Sequence, residues 1–197
     1  MKTIKRIKHS VLYYRIKHSI RNYYVLYADS TELLEKAQKV LRPLPEGCEL
    51  VQLTKENKDR YKCKWKVNKM LSVEGEVWAV VNNDNEIIAY HYGTYQNNNS
   101  ILFKVKNCEY EHTEIMVDER YRRNGLAVYL IYSAIKNLKF DDVNGLKIGT
   151  VIRPNNIPSR KLHELIGFKI SHRVVFFHWE RIKDGHYKYT NIPHYII

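Results

Sequence analysis

VDERYRRNGLA, running from Val117 to Ala127, joins two patterns in one short stretch. The apolar and β-branched run Ile115, Met116, Val117 leads into it as a strand, and LAVYLIYSAIKNL leaves it as a helix. Between them stand Arg122, Arg123, Asn124 and Gly125. Gly125 permits a positive φ or a close backbone approach, and the first turn of the following helix has N–H groups without partners of their own. Two arginines beside a helix N-terminus suit an anion of pyrophosphate type, because charge-assisted contacts and the helix dipole act in the same place.

Outward from this turn the chain alternates strands and helices. Before it, Glu76 to Val81 and Glu86 to Tyr95 form a hairpin around Asn82-Asn83-Asp84-Asn85, residues that tolerate left-handed backbone. A short strand at Ile101 to Val105 and a strand from Glu109 to Val117 follow. After the turn, Leu126, Leu130, Ala134 and Leu138 recur every fourth residue, with Ile131 and Ile135 widening the stripe, so this helix packs on a sheet. Lys147 to Val151 is the next strand and Val174 to His178 a late one. Nearer the N-terminus, Tyr23 to Ala28 reads as a strand, and Asp29 with Glu32 as a box opening a helix from about Thr31 to Val40. Pro43, Pro45 and Gly47 then break the chain. They place a boundary between an extension, residues 1–45, and a core, residues 46–197. That core begins with a strand at Glu49 to Leu53 and a helix from Thr54 to about Leu71, with Tyr61 and Trp65 on its buried side.

A chain of 197 residues with 44% hydrophobic content has room for one core and an appendage. Cys48, Cys63 and Cys108 lack metal spacing and a disulfide framework, so reduced thiols are expected, and no metal. No apolar run nears 18 residues and no signal-type segment opens the chain, which sets the expectation of a cytoplasmic or membrane-peripheral protein. The net charge of +12 calls for an anionic partner. Residues 1–27 hold no acid, and RIKHS occurs at 6–10 and again at 15–19. Ile4, Ile7 and Val11 fall at helical spacing, so residues 1–21 form a basic amphipathic segment that either docks on the domain or meets an anionic membrane. The sixteen tyrosines serve mostly as amphipathic packing residues.

The spacing Arg122-x-x-Gly125-x-Ala127 resembles the acetyl-CoA-binding motif of the GCN5-related N-acetyltransferases, the GNAT superfamily. A second matching piece follows: the strand Lys147 to Val151, then Asn156-x-x-Ser159-x-x-x-His163-Glu164-x-x-Gly167-Phe168. The resemblance implies an α/β fold with a mixed, mostly antiparallel sheet flanked by helices and splayed at the CoA site. It implies direct acyl transfer from acetyl-CoA to the primary amine of a small acceptor, an amino sugar or nucleotide sugar by analogy, or else a non-catalytic module of the same fold. Carried over, the cofactor residues are Arg122, Arg123, Asn124, Gly125, Leu126 and Ala127 at the phosphates, and the strand end Ile115, Met116, Val117 pairing with the pantetheine arm. Asn156 would lie at the thioester end and Ser159 would leave room for CoA. Glu119 and Asn124 depart from the commonest family form without removing a backbone donor. Glu111 is the expected base, on the same strand face as Glu109 and opposite to Glu114, with His112 the weaker alternative. His163, seven residues beyond Asn156 where the family most often has Tyr, is the expected proton donor to the thiolate. Nucleic acid is the less expected partner, and a homodimer is left open.

Overall fold

The computed structural model describes residues 20–65, 71, 75–96, 105–183 and 186–196; side chains are described from 22 to 175 within these. The strand expected at Ile101 to Val105 and the amphipathic segment 1–21 fall largely outside that set, so neither is described here. Eight strands form one sheet in the order β2-β3-β4-β5-β6-β1-β7-β8. They are β1 Ile20–Asp29, β2 Glu49–Leu53, β3 Glu76–Val81, β4 Ile87–Tyr95, β5 Tyr110–Val117, β6 Lys147–Ile152, β7 Lys169–Lys183 and β8 His186–Ile196. Among the described residues, helices α1 Ser30–Val40, α2 Leu126–Lys136 and α3 Ile157–Leu165 accompany the sheet. Every pairing is antiparallel except β5 with β6. This is the expected α/β architecture.

The local signals worked where local chemistry decides. Asp29 caps α1 by accepting from the Thr31 and Glu32 N–H groups, while Glu32 turns outward to Lys36 and Lys169 rather than back to the cap. Asn85 takes the positive φ that closes the β3-β4 hairpin.

Three expectations change. The extension does not stand outside the core. β1 lies between β6 and β7, and α1 buries Leu33 and Ala37 in one cluster with Tyr110, Val128, Ile131 and Ile148, so residues 20–41 and the later strands share one interior. Burial of the apolar run Val25-Leu26, nearly complete on both faces, is what a central strand needs and an appended one lacks. The helix from Thr54 is absent across the described residues up to Trp65, where a single 3-10 turn at Lys58–Arg60 occurs instead. Asn57 explains the change, since its side chain accepts from the Thr54 N–H and donates to the Gln52 carbonyl, a local arrangement that competes with helix. Tyr61 and Trp65 are still packed on the β2-β3-β4 cluster, as expected. Last, the late strand is longer than expected and returns as β8, which the sequence pattern did not announce.

β5 also carries a bulge that decides the site. Tyr92 pairs with Glu114 and Gly93 with His112, leaving Thr113 as an extra residue on β5. An inserted residue reverses the facing of everything beyond it. Glu114, expected opposite to Glu111, therefore lies on Glu111's side of the sheet: Glu114 accepts from the Tyr90 hydroxyl at 3.0 Å, and Glu111's charge acts on Tyr92, the neighbour of Tyr90 on that face.

Candidate active site

β5 and β6 pair in parallel only at Tyr110 with Ile148, Glu111 with Gly149 and His112 with Thr150. Beyond these pairs the strands part. A cleft of about 350 Å³ opens there, lined among others by Glu114, Ile115, Met116, Thr150, Asn156 and His163. From Thr113 onward the β6-facing edge of β5 is left without a partner strand, and such an edge is a template for an extended ligand. Ile115 and Val117 turn their side chains to the α2 cluster and Met116 to the β2-β3-β4 cluster, so what these residues offer the cleft is main chain. Val117 itself is not among the lining residues.

At the end of β5 the chain enters the arginine turn. Asp118 is buried and anchors the entry: it accepts from the Arg120 N–H and guanidinium and from Lys64 at 2.6 Å, and these bonds hold its carboxyl well below the usual range. Arg123 has φ 68° and Gly125 φ 81°, so the turn passes twice through left-handed backbone before α2 begins. The amide N–H groups of residues 123–128 find no acceptor among the described residues, while Arg122 N–H bonds weakly to Glu119. Leu126 and Ala127 supply N–H groups from the first turn of α2, whose first full bond is Tyr129 to the Gly125 carbonyl. The Arg122 side chain reaches Glu119 at 3.3 Å on the surface. Of the six residues picked out by motif, Arg123 and Gly125 take left-handed backbone and residues 123–127 keep unused N–H donors among the described residues, the chemistry of an anion cradle. Gly125→Val is expected to raise the CoA dissociation constant about tenfold, since a β-branched residue at positive φ strains the turn. Calorimetry on the folded variant checks this, and unchanged affinity would remove the turn from the site.

α3 brings Asn156, Ser159 and His163 to the floor of the cleft. The Asn156 side chain caps the helix by accepting from Ser159 N–H at 3.3 Å. His163 is buried, with Nδ1 2.7 Å from the Ser159 carbonyl oxygen. A carbonyl only accepts, so the proton sits on Nδ1 and Nε2 presents a lone pair. Burial also pushes the imidazole down to about 4. His163 is thus a neutral acceptor at pH 7, and the expected role of proton donor does not follow from its surroundings.

Beside it lie His112 and His91, at ring-centroid separations of 5.0 Å from His163 to His112 and 4.7 Å from His112 to His91. All three are buried, and His91 has no partner for either ring nitrogen among the described residues. Burial above all holds His91 down to about 3 and His112 well below its ordinary value. The His91 and His112 rings stack at 13° and the His163 ring is tilted 34° from that of His112, and no group of three or more His, Cys, Asp or Glu side chains placed to hold a metal ion occurs among the described residues.

Glu111 departs from expectation as well. It lies in the paired part of β5, buried, with a carboxylate oxygen accepting from Val105 N–H at 3.2 Å, and it does not line the cleft. Glu114 does. Simple alternation along the strand concealed this, because nothing local announces the bulge at Thr113.

The sequence matches the acetyltransferase (GNAT) family over residues 40–168. The chain is a GNAT-family protein. The acyl donor of GNAT proteins is acetyl-CoA, and the cleft and turn fit it: a strand edge for an extended arm beside unused donors for phosphates. The GNAT fold recurs in a tandem GNAT protein from the clavulanic acid biosynthesis pathway, at 12% identity and a TM-score of 0.58, covering 79% of this chain and 52% of that one. A functionally unknown conserved protein from Staphylococcus epidermidis is similar at 10% identity and a TM-score of 0.53, with 83% and 64% covered. A Drosophila protein follows at 14% identity and a TM-score of 0.51, with 88% and 56% covered. The chain spans between about half and two thirds of the length of these structures. At such identities the likeness is one of fold. No curated protein matches the sequence. No helix among the described residues is long and apolar enough to cross a membrane.

Proposed function

We propose that the protein is an N-acyltransferase that moves an acetyl group from acetyl-CoA to the primary amine of a small acceptor. The observation that carries this reading is the parting of β5 from β6 next to the arginine turn. The open β5 edge pairs with the pantetheine arm, and the donors of residues 123–127 take the pyrophosphate. Acetyl-CoA brings an activated thioester. The chain holds it, excludes water and receives the proton of the amine.

For that proton Glu114 replaces Glu111. Glu114 is among the residues lining the cleft, and the buried Tyr90, whose hydroxyl is pushed up by burial and by the charge of Glu114, remains a donor that fixes the carboxylate's orientation. The departing thiolate is left to take its proton from solvent, since the one proton of the neutral His163 ring is held on Nδ1 by the Ser159 carbonyl. Amino sugars and nucleotide-linked amino sugars are the first acceptors to screen, on analogy alone. Calorimetry with acetyl-CoA, followed by thiol release over a panel of primary amines, tests the proposal. Binding without thiol release from any amine would make the protein a CoA-binding module, and absence of binding would end the reading altogether.

A further inference from the structure

The connector between α1 and β2 passes against the arginine turn. It is pinned at both ends: Leu41 packs on the cluster of Leu33, Val128 and Ile131, and Leu44 with Cys48 on that of Leu126 and Leu130. Pro43 and Pro45 stiffen the piece between. Arg42 is thereby laid across the turn. Its Nη1 donates to the Arg123 carbonyl at 3.2 Å, and its Cβ, Cγ and Cδ stand 3.2 to 3.3 Å from the point a Cβ on residue 125 would occupy.

Two consequences follow from covalent geometry. The carbonyl of Arg123 and the N–H of Asn124 belong to one planar trans peptide and point in opposite directions. Holding the carbonyl toward the connector turns the Asn124 N–H away from it, as one of the donors that no acceptor among the described residues uses. Second, the arginine stem fills the space that only a glycine at position 125 leaves. Arg42 and Gly125 are fitted to each other.

We propose that Arg42 is a positioning residue for the cofactor turn: it clamps the Arg123 carbonyl so that the Asn124 N–H is presented to the CoA phosphates. The inference rests on the reading that this turn binds CoA. It gives the α1-β2 connector a part in cofactor recognition, although the motif that marks the turn begins 80 residues further on, at Arg122. It also separates Arg42 from Arg122 and Arg123, whose guanidinium groups would meet phosphate directly.

The test compares CoA with 3′-dephospho-CoA, which keeps the pyrophosphate and lacks the 3′-phosphate. Arg42→Met retains an apolar stem and removes the donor. It is expected to weaken both ligands about fivefold, the worth of one hydrogen bond, without lowering the melting temperature by more than about 2 °C. The amide resonance of Asn124 is expected to shift in the ligand-free variant, which a general packing role would not single out. Arg42→Ala, lacking the stem as well, should lose at least as much affinity, and serves if the Met variant does not fold. Wild-type affinity for both ligands in a folded variant overturns the clamp. So does a loss seen with CoA alone, which would place the guanidinium on the 3′-phosphate. If the wild-type protein binds neither ligand, the CoA reading of the turn has failed before Arg42 is reached.

Discussion

Glu114→Gln is expected to lower kcat for acetyl transfer about 10²-fold while changing KM for acetyl-CoA by no more than about threefold. The amide keeps the size of the side chain and still accepts from the Tyr90 hydroxyl at the position of Oε1, so the cleft wall stays in place. What it loses is the capacity to take a proton from the amine. Glu111→Gln provides the contrast. Its carboxylate is occupied by Val105 N–H beneath the paired part of the strand, so the substitution should cost stability and leave the rate per folded molecule within about threefold. Steady-state thiol release, normalised to the folded fraction, separates the two. Full activity in Glu114→Gln together with loss in Glu111→Gln would return the role of base to the buried carboxylate.

The stacked histidines should make the fold acid-sensitive at mildly acidic pH. In the unfolded chain each imidazole binds a proton as pH falls through about 6.5. In the folded chain burial keeps His163 neutral to about 4, His91 to about 3 and His112 at least well below its ordinary value. The unfolded state then binds more protons, so stability rises with pH across this window. It is complete above about pH 7, begins to fall as pH drops through 6.5, and goes on falling to about pH 4. Each imidazole contributes a slope of about 1.4 kcal/mol per pH unit, and three together about 4. By pH 5 the loss reaches about 6 kcal/mol, a large share of an ordinary domain stability of about 5 to 15 kcal/mol. Asp118, whose depressed carboxyl acts only below the ordinary carboxylate range, does not confuse the measurement. Urea midpoints between pH 7.5 and 5 report the slope. His91→Phe removes a ring with no hydrogen-bond partner among the described residues and should flatten it by about one third. Midpoints that do not move over this range would mean that the buried column takes up protons without unfolding.

What was legible in the chain was what neighbouring residues decide among themselves. The arginine turn, the Asn-rich hairpin and the Asp29 cap rest on backbone angles and hydrogen bonds spanning a few positions, and all three were found where their residue types place them. The partition of carboxylates between cleft and core was not legible. It turns on Thr113, an ordinary strand residue whose extra place in β5 exists only relative to β4. The same holds for His163, where the motif position was visible but the tautomer depends on the Ser159 carbonyl and the neutral state on burial beside two further rings from β4 and β5. Arg42 was missed because proline and glycine beside it read as a boundary. The signal that could have found it is the pair of leucines flanking it, which mark a connector packed against the domain rather than one running free.

The place of β1 between β6 and β7 has a consequence for how the protein is made. On the ribosome β2 to β5 emerge as neighbours that pair along the sequence, while Val25 must wait for Val151 on one side and His172 on the other. Closing such distant pairings is slow, and until then Val25 and Leu26 lie on a strand with two open edges. That interval is when a nascent chain is most exposed to aggregation and has most use for a chaperone. Translation that stalls before residue 169 would leave β1 without its β7 partner, so loss of the last hairpin turns a strand covered on both sides into an open edge of the sheet.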